Sequence, residues 1–534
     1  MEALALCGLN FTYAGAGKPA LHDLSLTVEA GTFVTLCGAT GSGKSTLLRL
    51  LKRELSPAGA LTGEIRLFGK SRDGLTPRES ASLIGFVGQD PEHQSVSDTI
   101  CHELAFGLEN LGLPQNVLRR RVSETAGRFG IEDLLDCRID ELSGGQKQLV
   151  NLAAAMATEP RLLLLDEPTA QLDPLCASAF LRSLAALNRD TGVTVLLVEH
   201  RLEEALPLSD RVVVLRDGGV LHDGNPRTVA ASLGGTHEAA MLPAAARLWY
   251  ALGAAGDCPL TVREGRALAE RALTHGARLP ETPDTAAGAC ALAFRDVWFR
   301  YSKKGADVLR NLSFEVQAGE CFFLLGSNGS GKTTALCAAA GLRTPYAGSV
   351  RVFGKPLKDL RGTPGFGYLP QDVESLFLKS TVRDELGEAV PLFLRYLPDG
   401  EALLDRHPYD ISGGEKQLLA LAKLAAKKPR LLLLDEPTKG LDAYAKQQAA
   451  IALSDLRAAG VTMVAVSHDV EFAALCADRC ALFSRGAVTA VAPTRRFFSE
   501  NAFYTTAVSR MTRGICDNAV TLADAVACRR EGAK

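Results

Sequence analysis

Two stretches carry the residues best suited to chemistry: Gly38-Ala39-Thr40-Gly41-Ser42-Gly43-Lys44-Ser45-Thr46 and Gly326-Ser327-Asn328-Gly329-Ser330-Gly331-Lys332-Thr333-Thr334. Each follows a run that reads as a strand, residues 33–37 and 321–325, and precedes an apolar-rich run that can be a helix. In that context the pattern is a phosphate-binding loop. Its glycines let consecutive backbone N–H groups turn inward around phosphate oxygens, and the helix N-terminus adds further free donors. Lys44 and Lys332 can then reach the β and γ phosphates, while Ser45 and Thr333 can ligate Mg²⁺.

Further chemistry lies at fixed distances from each loop. Leu162-Leu163-Leu164-Leu165-Asp166-Glu167 and Leu431-Leu432-Leu433-Leu434-Asp435-Glu436 read as strands buried on both faces that end in paired acids. Buried carboxylates need partners. Asp166 and Asp435 suit contact with Mg²⁺, and Glu167 and Glu436 can polarise an attacking water. Another buried strand ends at His200, and its counterpart at His468; each imidazole can contact the γ phosphate and hold the water with the glutamate. Gln89 and Gln371 follow apolar strands, where an amide can ligate Mg²⁺ or orient a water. Ser143-Gly144-Gly145 and Ser412-Gly413-Gly414 each stand 23 residues before the strand-end Asp and open a long helix. The serine is placed as an N-cap, and its hydroxyl with the glycine N–H groups can also receive a phosphate.

The elements that position these residues occur twice. Ahead of each loop, short strands and turns read as a small antiparallel sheet, from which Tyr13 and Tyr301 can leave to stack on a nucleotide base. Residues 98–135 read as helical with a turn at Gly112-Leu113-Pro114. The repeats differ in one interval: Lys44 to Ser143 is 99 residues and Lys332 to Ser412 is 80. Length changes therefore fall around the Gln residues and the helical segment, where partner-specific contact is expected. Residues 1–235 form a first domain, 236–290 a partly helical linker, 291–500 a second domain and 501–534 a tail. Within the linker, residues 242–252 and 262–273 read as helices and 276–288 as a flexible joint.

Bulk properties narrow the class. A chain of 534 residues exceeds one ordinary core, and a formal net charge of -2 gives no general attraction to nucleic acid or to an anionic bilayer. No apolar run approaches the roughly 18 residues needed to cross a membrane; the best, residues 242–256, is broken by Pro243, Arg247 and Gly253. The opening residues lack a signal-peptide pattern, so a soluble chain that can dock on a membrane protein is expected. The 13 cysteines read mostly as free buried thiols of a reducing compartment. Cys476 and Cys480 could meet on a helix, but two thiols make a weak metal site.

Each half thus holds a phosphate loop and a water-activating set, together with a Ser-Gly-Gly helix start suited to another half's phosphate. Head-to-tail pairing of Lys44 with Ser412 and of Lys332 with Ser143 would complete two sites. ATP would join them, and hydrolysis would loosen them. Neither copy lacks Lys, Asp, Glu or His, so both are expected to hydrolyse ATP.

The ordered motifs resemble those of the ATP-binding cassette ATPases over nearly the whole chain. The first signature, Leu142-Ser143-Gly144-Gly145-Gln146, is complete, whereas the second departs at Ile411 and Glu415. The resemblance implies an α/β fold with two tandem cassettes, each a RecA-like core with an antiparallel β subdomain and a helical subdomain. Within that family, Gln89-Asp90-Pro91-Glu92-His93-Gln94 and the following Ala105-Phe106-Gly107 and Glu109-Asn110-Leu111-Gly112 look like the ATPases of energy-coupling factor importers. The departures at Asp90 and Glu92 keep polar residues there, though Asp90 adds a charge where that group usually has an amide. The stretches Phe497-Phe498 and Phe503-Tyr504-Thr505-Thr506 are similar to fused versions of those ATPases. This branch implies peripheral attachment to the cytoplasmic membrane face through a transmembrane coupling protein, with a small membrane protein capturing a vitamin, a vitamin precursor or a transition-metal ion. A tandem sugar-importer ATPase would share every catalytic residue, and a soluble ribosome-associated tandem ATPase is the remaining alternative. The first would lack this Gln loop, and the second would favour a charged helical linker or cysteine-rich metal sites.

Overall fold

The structure, a computed structural model, describes residues 1–280, 288–357 and 365–530. It divides into two compact units, Met1–Pro243 and Ala244–Lys534.

In the first unit, strands β1 (Glu2–Tyr13), β2 (Leu21–Glu29), β4 (Gly59–Leu67) and β5 (Lys70–Ser71) form an antiparallel sheet in the order β2-β1-β4-β5. A second sheet has the order β10-β9-β3-β8-β7-β6. It is made of β3 (Phe33–Gly38), β6 (Ile84–Val87), β7 (Leu162–Asp166), β8 (Thr194–Val198), β9 (Arg211–Arg216) and β10 (Gly219–Gly224). All neighbours are parallel except β9 and β10. The apolar runs dictate this arrangement, because a strand that is hydrophobic throughout must be covered on both faces. Leu162 to Leu165 are fully buried. Even residues of the run join one core with Leu47 and Leu48 of helix Lys44–Leu51, and odd residues join another with Leu181 and Leu184 of helix Pro174–Thr191. Burying one such leucine is worth about 1.5–3 kcal/mol, so a register slip that moved Asp166 would be costly. Helices Ile100–Asn110, Gln115–Phe129 and Gly144–Ala157 enclose a third core, broken at the expected Gly112-Leu113-Pro114 turn. Residues 236–243, read as linker from the sequence, pack on this unit: the Arg216 guanidinium grips the buried Glu238 carboxylate through Nε and Nη2.

The second unit repeats the topology. Strands β11 (Cys290–Phe299), β12 (Leu309–Gln317), β14 (Ala347–Val352) and β15 (Lys355–Pro356) give β12-β11-β14-β15. Strands β13 (Cys321–Leu325), β16 (Phe366–Leu369), β17 (Leu431–Asp435), β18 (Thr462–Ser467), β19 (Arg479–Ser484) and β20 (Ala487–Pro493) give β16-β17-β18-β13-β19-β20. The shorter interval before Ser412 is visible in the helices. Short pieces Val382–Leu386 and Val390–Tyr396 stand where the first unit has two longer helices.

The sequence does not announce how the second unit is closed. Helices Ala244–Leu252 and Val262–Ala272, which precede its core, share a hydrophobic cluster with helices Ala507–Thr512 and Leu522–Ala527, which follow it. Gly265 makes the crossing possible, since a Cβ there would lie 2.1 Å from Met511 Sδ and 2.9 Å from Ala245 Cβ. Residues 281–287 of the expected flexible joint lie outside the described residues. Residues 276–280 are held, with Gly276 N–H donating to Ile515 O, Leu279 exchanging backbone bonds with the Asn518 amide, and Pro280 O accepting from Arg495. Cys516 and Cys528 are bonded to each other. Cys37, Cys258, Cys321, Cys476 and Cys480 are buried thiols, while Cys7 and Cys176 are exposed. Among the described residues no group of three or more His, Cys, Asp or Glu side chains could hold a metal ion, and no helix is long and apolar enough to cross a membrane.

Candidate functional site

Parallel strands place their C-terminal ends along one edge, and in the first unit that edge gathers the chemistry. The loop leaving β3 runs into helix Lys44–Leu51, whose N-cap Gly43 has φ 95. At Gly38 a Cβ would stand 2.2 Å from Leu215 O, so only glycine lets the loop leave β3 this close to β9. The Lys44 ammonium folds back on the loop, donating to Gly38 O at 2.9 Å and Ala39 O at 2.8 Å. Ser45 Oγ donates to Asp166 Oδ1 at the end of β7 (2.7 Å).

The second unit reproduces this. Lys332 donates to Gly326 O and Ser327 O (2.9 Å each), Thr333 Oγ1 lies 3.0 Å from Asp435 Oδ1, and Gly331 caps the helix with φ 105. At Gly326 the close carbonyl is Phe483 O, again 2.2 Å from a built Cβ. Gly41 and Gly329 sit at the loop tips with φ 81 and 73 and nothing within 4 Å of a built Cβ. The tips are open where a ligand would approach.

The tyrosines join these loops to the antiparallel sheets. Tyr13 ends β1 and its hydroxyl lies 2.7 Å from Thr46 Oγ1; Tyr301 follows β11 and its hydroxyl lies 2.9 Å from Thr334 Oγ1. Both rings stay partly exposed, at 38% and 61%, so each leaves ring surface for stacking.

Glu167 and Glu436 occupy left-handed backbone, with φ 48 and 49. Such dihedrals are unusual for a residue with a side chain and concentrate at functional sites. Here the N–H groups still continue the sheet, donating to Val198 O at 3.0 Å and Val466 O at 2.9 Å. In the first unit the carboxylate meets His200 Nε2 at 2.9 Å and Gln89 Nε2 at 3.1 Å. In the second, His468 Nδ1 lies 3.0 Å from Glu436 Oε2, and Ser467 Oγ lies 3.4 Å from the same oxygen. Gln371 is exposed, and among the described residues its side chain makes no hydrogen bond. The expected copy of Gln89 is therefore not brought to Glu436. Tyr368 instead approaches the acids, its hydroxyl 3.5 Å from Asp435 Oδ2.

Ser143 and Ser412 are N-caps with capping boxes, closed by Gln146 and by Glu415 respectively. The Glu415 departure thus preserves the helix start. Gly144 and Gly413 are exposed, Gly145 is half-buried, and Gly414 is buried. The hydroxyl of Ser143 is directed to Gln146 and not to the phosphate loop of its own unit.

Burial pushes both Asp166 and Asp435 above the usual carboxylate range, Asp435 to about 6. A desolvated carboxylate beside a hydroxyl is the hard oxygen donor set that suits Mg²⁺. Ser45 with Asp166 and Thr333 with Asp435 fit that ion. Glu199 and Ser467, which precede the histidines, carry no sequence signal of a shared role, because the position holds a different residue in each half. The difference between the His turns, Glu199 and Arg201 in one against Ser467 and Asp469 in the other, was the available signal.

The fold and these sites define a phosphate-loop nucleotide hydrolase with two cassettes. A family model described as ABC transporter matches residues 21–170 and 309–439. An ABC transporter ATP-binding protein of Bacillus anthracis is 39% identical over 98% of this chain and 98% of its own length. One from Streptomyces coelicolor is 36% identical over 91% of this chain and 93% of its own. A solved structure of cbiO1 from Clostridium perfringens, part of the ABC transporter complex cbiONQ, is 33% identical, covering 43% of this chain and 91% of that one with a TM-score of 0.40. The chain belongs to the ABC transporter ATP-binding family and is an ATPase.

Proposed function

We propose that this ATPase drives an importer of the energy-coupling type. It sits peripherally on the cytoplasmic face of the membrane, bound to a transmembrane coupling protein, while a small membrane protein captures a vitamin, vitamin precursor or transition-metal ion. The observation that carries this reading is the stretch 89–114. Asp90 caps helix Pro91–Gln94, Gln94 clamps the strand end through Gly88 N–H and Phe86 O, and Glu92 pairs with Lys147 of the signature helix at 2.8 Å. Residues 89–94 thus form one continuous link from Gln89 to the signature helix. Glu374 and Lys416 make the same pair in the second unit at 2.7 Å. Beyond each pair an apolar side chain is exposed, Val96 at 64% and Leu378 at 85%. These suit docking on membrane subunits.

In the proposed mechanism Lys44 and Lys332 bind the β and γ phosphates with the loop N–H groups, and Tyr13 and Tyr301 stack on the base. Ser45, Gln89 and Asp166 in one half, and Thr333, Gln371 and Asp435 in the other, would hold Mg²⁺, which supplies charge neutralisation during phosphoryl transfer. Glu167 accepts the proton of the attacking water, held by His200 Nε2 and Gln89 Nε2. Glu436 does the same beside His468. The pairing of Lys44 with Ser412 and of Lys332 with Ser143 rests on the sequence and belongs to this proposal.

Extraction in mild detergent with identification of co-purifying chains tests the assignment. Membrane subunits are expected, and recovery of ribosomes without them would overturn it. Uptake assays with vitamins and metal ions then assign the cargo.

A further inference from the structure

The His200 turn contains a carboxylate that the catalytic inventory leaves unused. Glu199 is only 2% exposed. Its Oε1 accepts from Thr169 N–H at 3.3 Å and from the Thr169 hydroxyl, and its Oε2 accepts from His200 N–H at 2.8 Å and Arg201 N–H at 3.0 Å. An ionised carboxylate has about four acceptor sites, so these donors saturate it. They come from two different turns: Thr169 lies two residues after Glu167, and His200 is the imidazole that meets Glu167. Arg201 adds a second tie between the same turns by donating to Leu172 O at 2.9 Å. In the other half Ser467 replaces Glu199. Its hydroxyl accepts from Asp469 N–H at 3.0 Å and reaches Glu436 directly, while Asp469 pairs with Lys446 at 2.6 Å.

We infer that Glu199 is the positioning residue of the first site: one buried carboxylate locks the turn that carries His200 to the turn that follows Glu167, and so sets the distance between imidazole and general base. The second site lacks this lock. The inference rests on the proposed roles of Glu167 and His200. It predicts loss of chemistry with retention of binding, because Glu199 touches neither the phosphate loop nor Ser45. A misplacement of about 1 Å at a reacting group is enough to lower a rate by about 100-fold.

The test uses the full chain with the second site silenced by Glu436→Gln. In that background Glu199→Ser, which copies the second half, should lower kcat for ATP at least about tenfold while leaving KM and the affinity for a fluorescent ATP analogue within about twofold. Thr169→Val keeps the side-chain volume and removes a single donor, so it decides the matter if Glu199→Ser fails to fold; a several-fold kcat loss is expected. The double variant Glu199→Ser/Thr169→Val should lose less than the product of the single losses, since both act on one contact. Unchanged kcat in Thr169→Val, or analogue binding lost in step with kcat, overturns the inference. Glu167→Gln in the same background is the control for the underlying reading: if it still turns over, the catalytic pair is wrong, whereas if it is dead while Glu199→Ser and Thr169→Val are active, only the positioning role fails.

Discussion

The phosphate loops of the two halves are nearly superimposable in their contacts, whereas the turns facing them are connected differently. Lysine, hydroxyl, aspartate and tyrosine make the same bonds in each unit, to within a few tenths of an ångström. Around the glutamates the wiring diverges. Glu167 is held by an imidazole and an amide, behind a saturated Glu199; Glu436 is approached by an imidazole and a serine, with Gln371 turned outward. In the proposed mechanism the strand ends bind phosphate and ion, and tight parallel pairing keeps them constant.

The largest expected effect concerns whether both sites turn over. Glu167→Gln with Glu436→Gln should lower phosphate release by about 100-fold or more, the range for loss of a general base, and each single change should remove a substantial part. Near-normal turnover in Glu436→Gln alone, with none in Glu167→Gln, would falsify the expectation that both halves hydrolyse ATP.

Next in size is the amide asymmetry. Gln89 Nε2 donates to Glu167 at 3.1 Å, whereas among the described residues the Gln371 side chain makes no hydrogen bond, so Gln89→Ala should slow turnover several-fold more than Gln371→Ala. Equal losses would mean that Gln371 swings in when nucleotide binds.

The halves also differ in how they are finished, and two further changes probe that. Gly265→Ala forces a methyl group into Met511 Sδ. Overpacking of this kind costs about 1–3 kcal/mol, and it should lower the thermal midpoint of the second unit while sparing the first. Differential scanning calorimetry distinguishes the two; an unchanged second transition would show that the helices can part freely. In the first unit the Arg216 fork holds the Glu238 carboxyl down at about 2. The unfolded carboxyl titrates near 4.3. Its contribution to stability is therefore complete above that pH and lost as pH falls toward about 2. The stability gap between the natural chain and Glu238→Gln should shrink between pH 6 and pH 3, and a constant gap would place the pair's value in packing instead of charge.

Most of the sheet cores, the glycine-rich turns and the serine caps were legible because each has a local signature: an apolar run ending in acids, a glycine-rich turn before a helix, a serine at a cap. Less was visible where structure depends on distant residues. The left-handed backbone of Glu167 is set by its place against Val198, not by neighbouring residue types. The packing of helix Val262–Ala272 depends on Met511, nearly 250 residues away, and its alanines and Gly265 suggested a linker. Glu199 looked like one more acid because Thr169, which supplies two of its donors, lies in another turn.

The closing cluster of the second unit bears on synthesis. Every strand of the first unit lies before residue 225, so that unit can fold while the rest is still being translated. Helices Ala244–Leu252 and Val262–Ala272 emerge next, but their partners at residues 507–527 come only after the whole second core. Until then Leu248, Leu252 and Leu268 have no covering surface from those helices. A ribosome that stalls between residues 273 and 507 would therefore present a finished first cassette trailing a sticky helical pair, the form of this chain in which a chaperone would find its substrate.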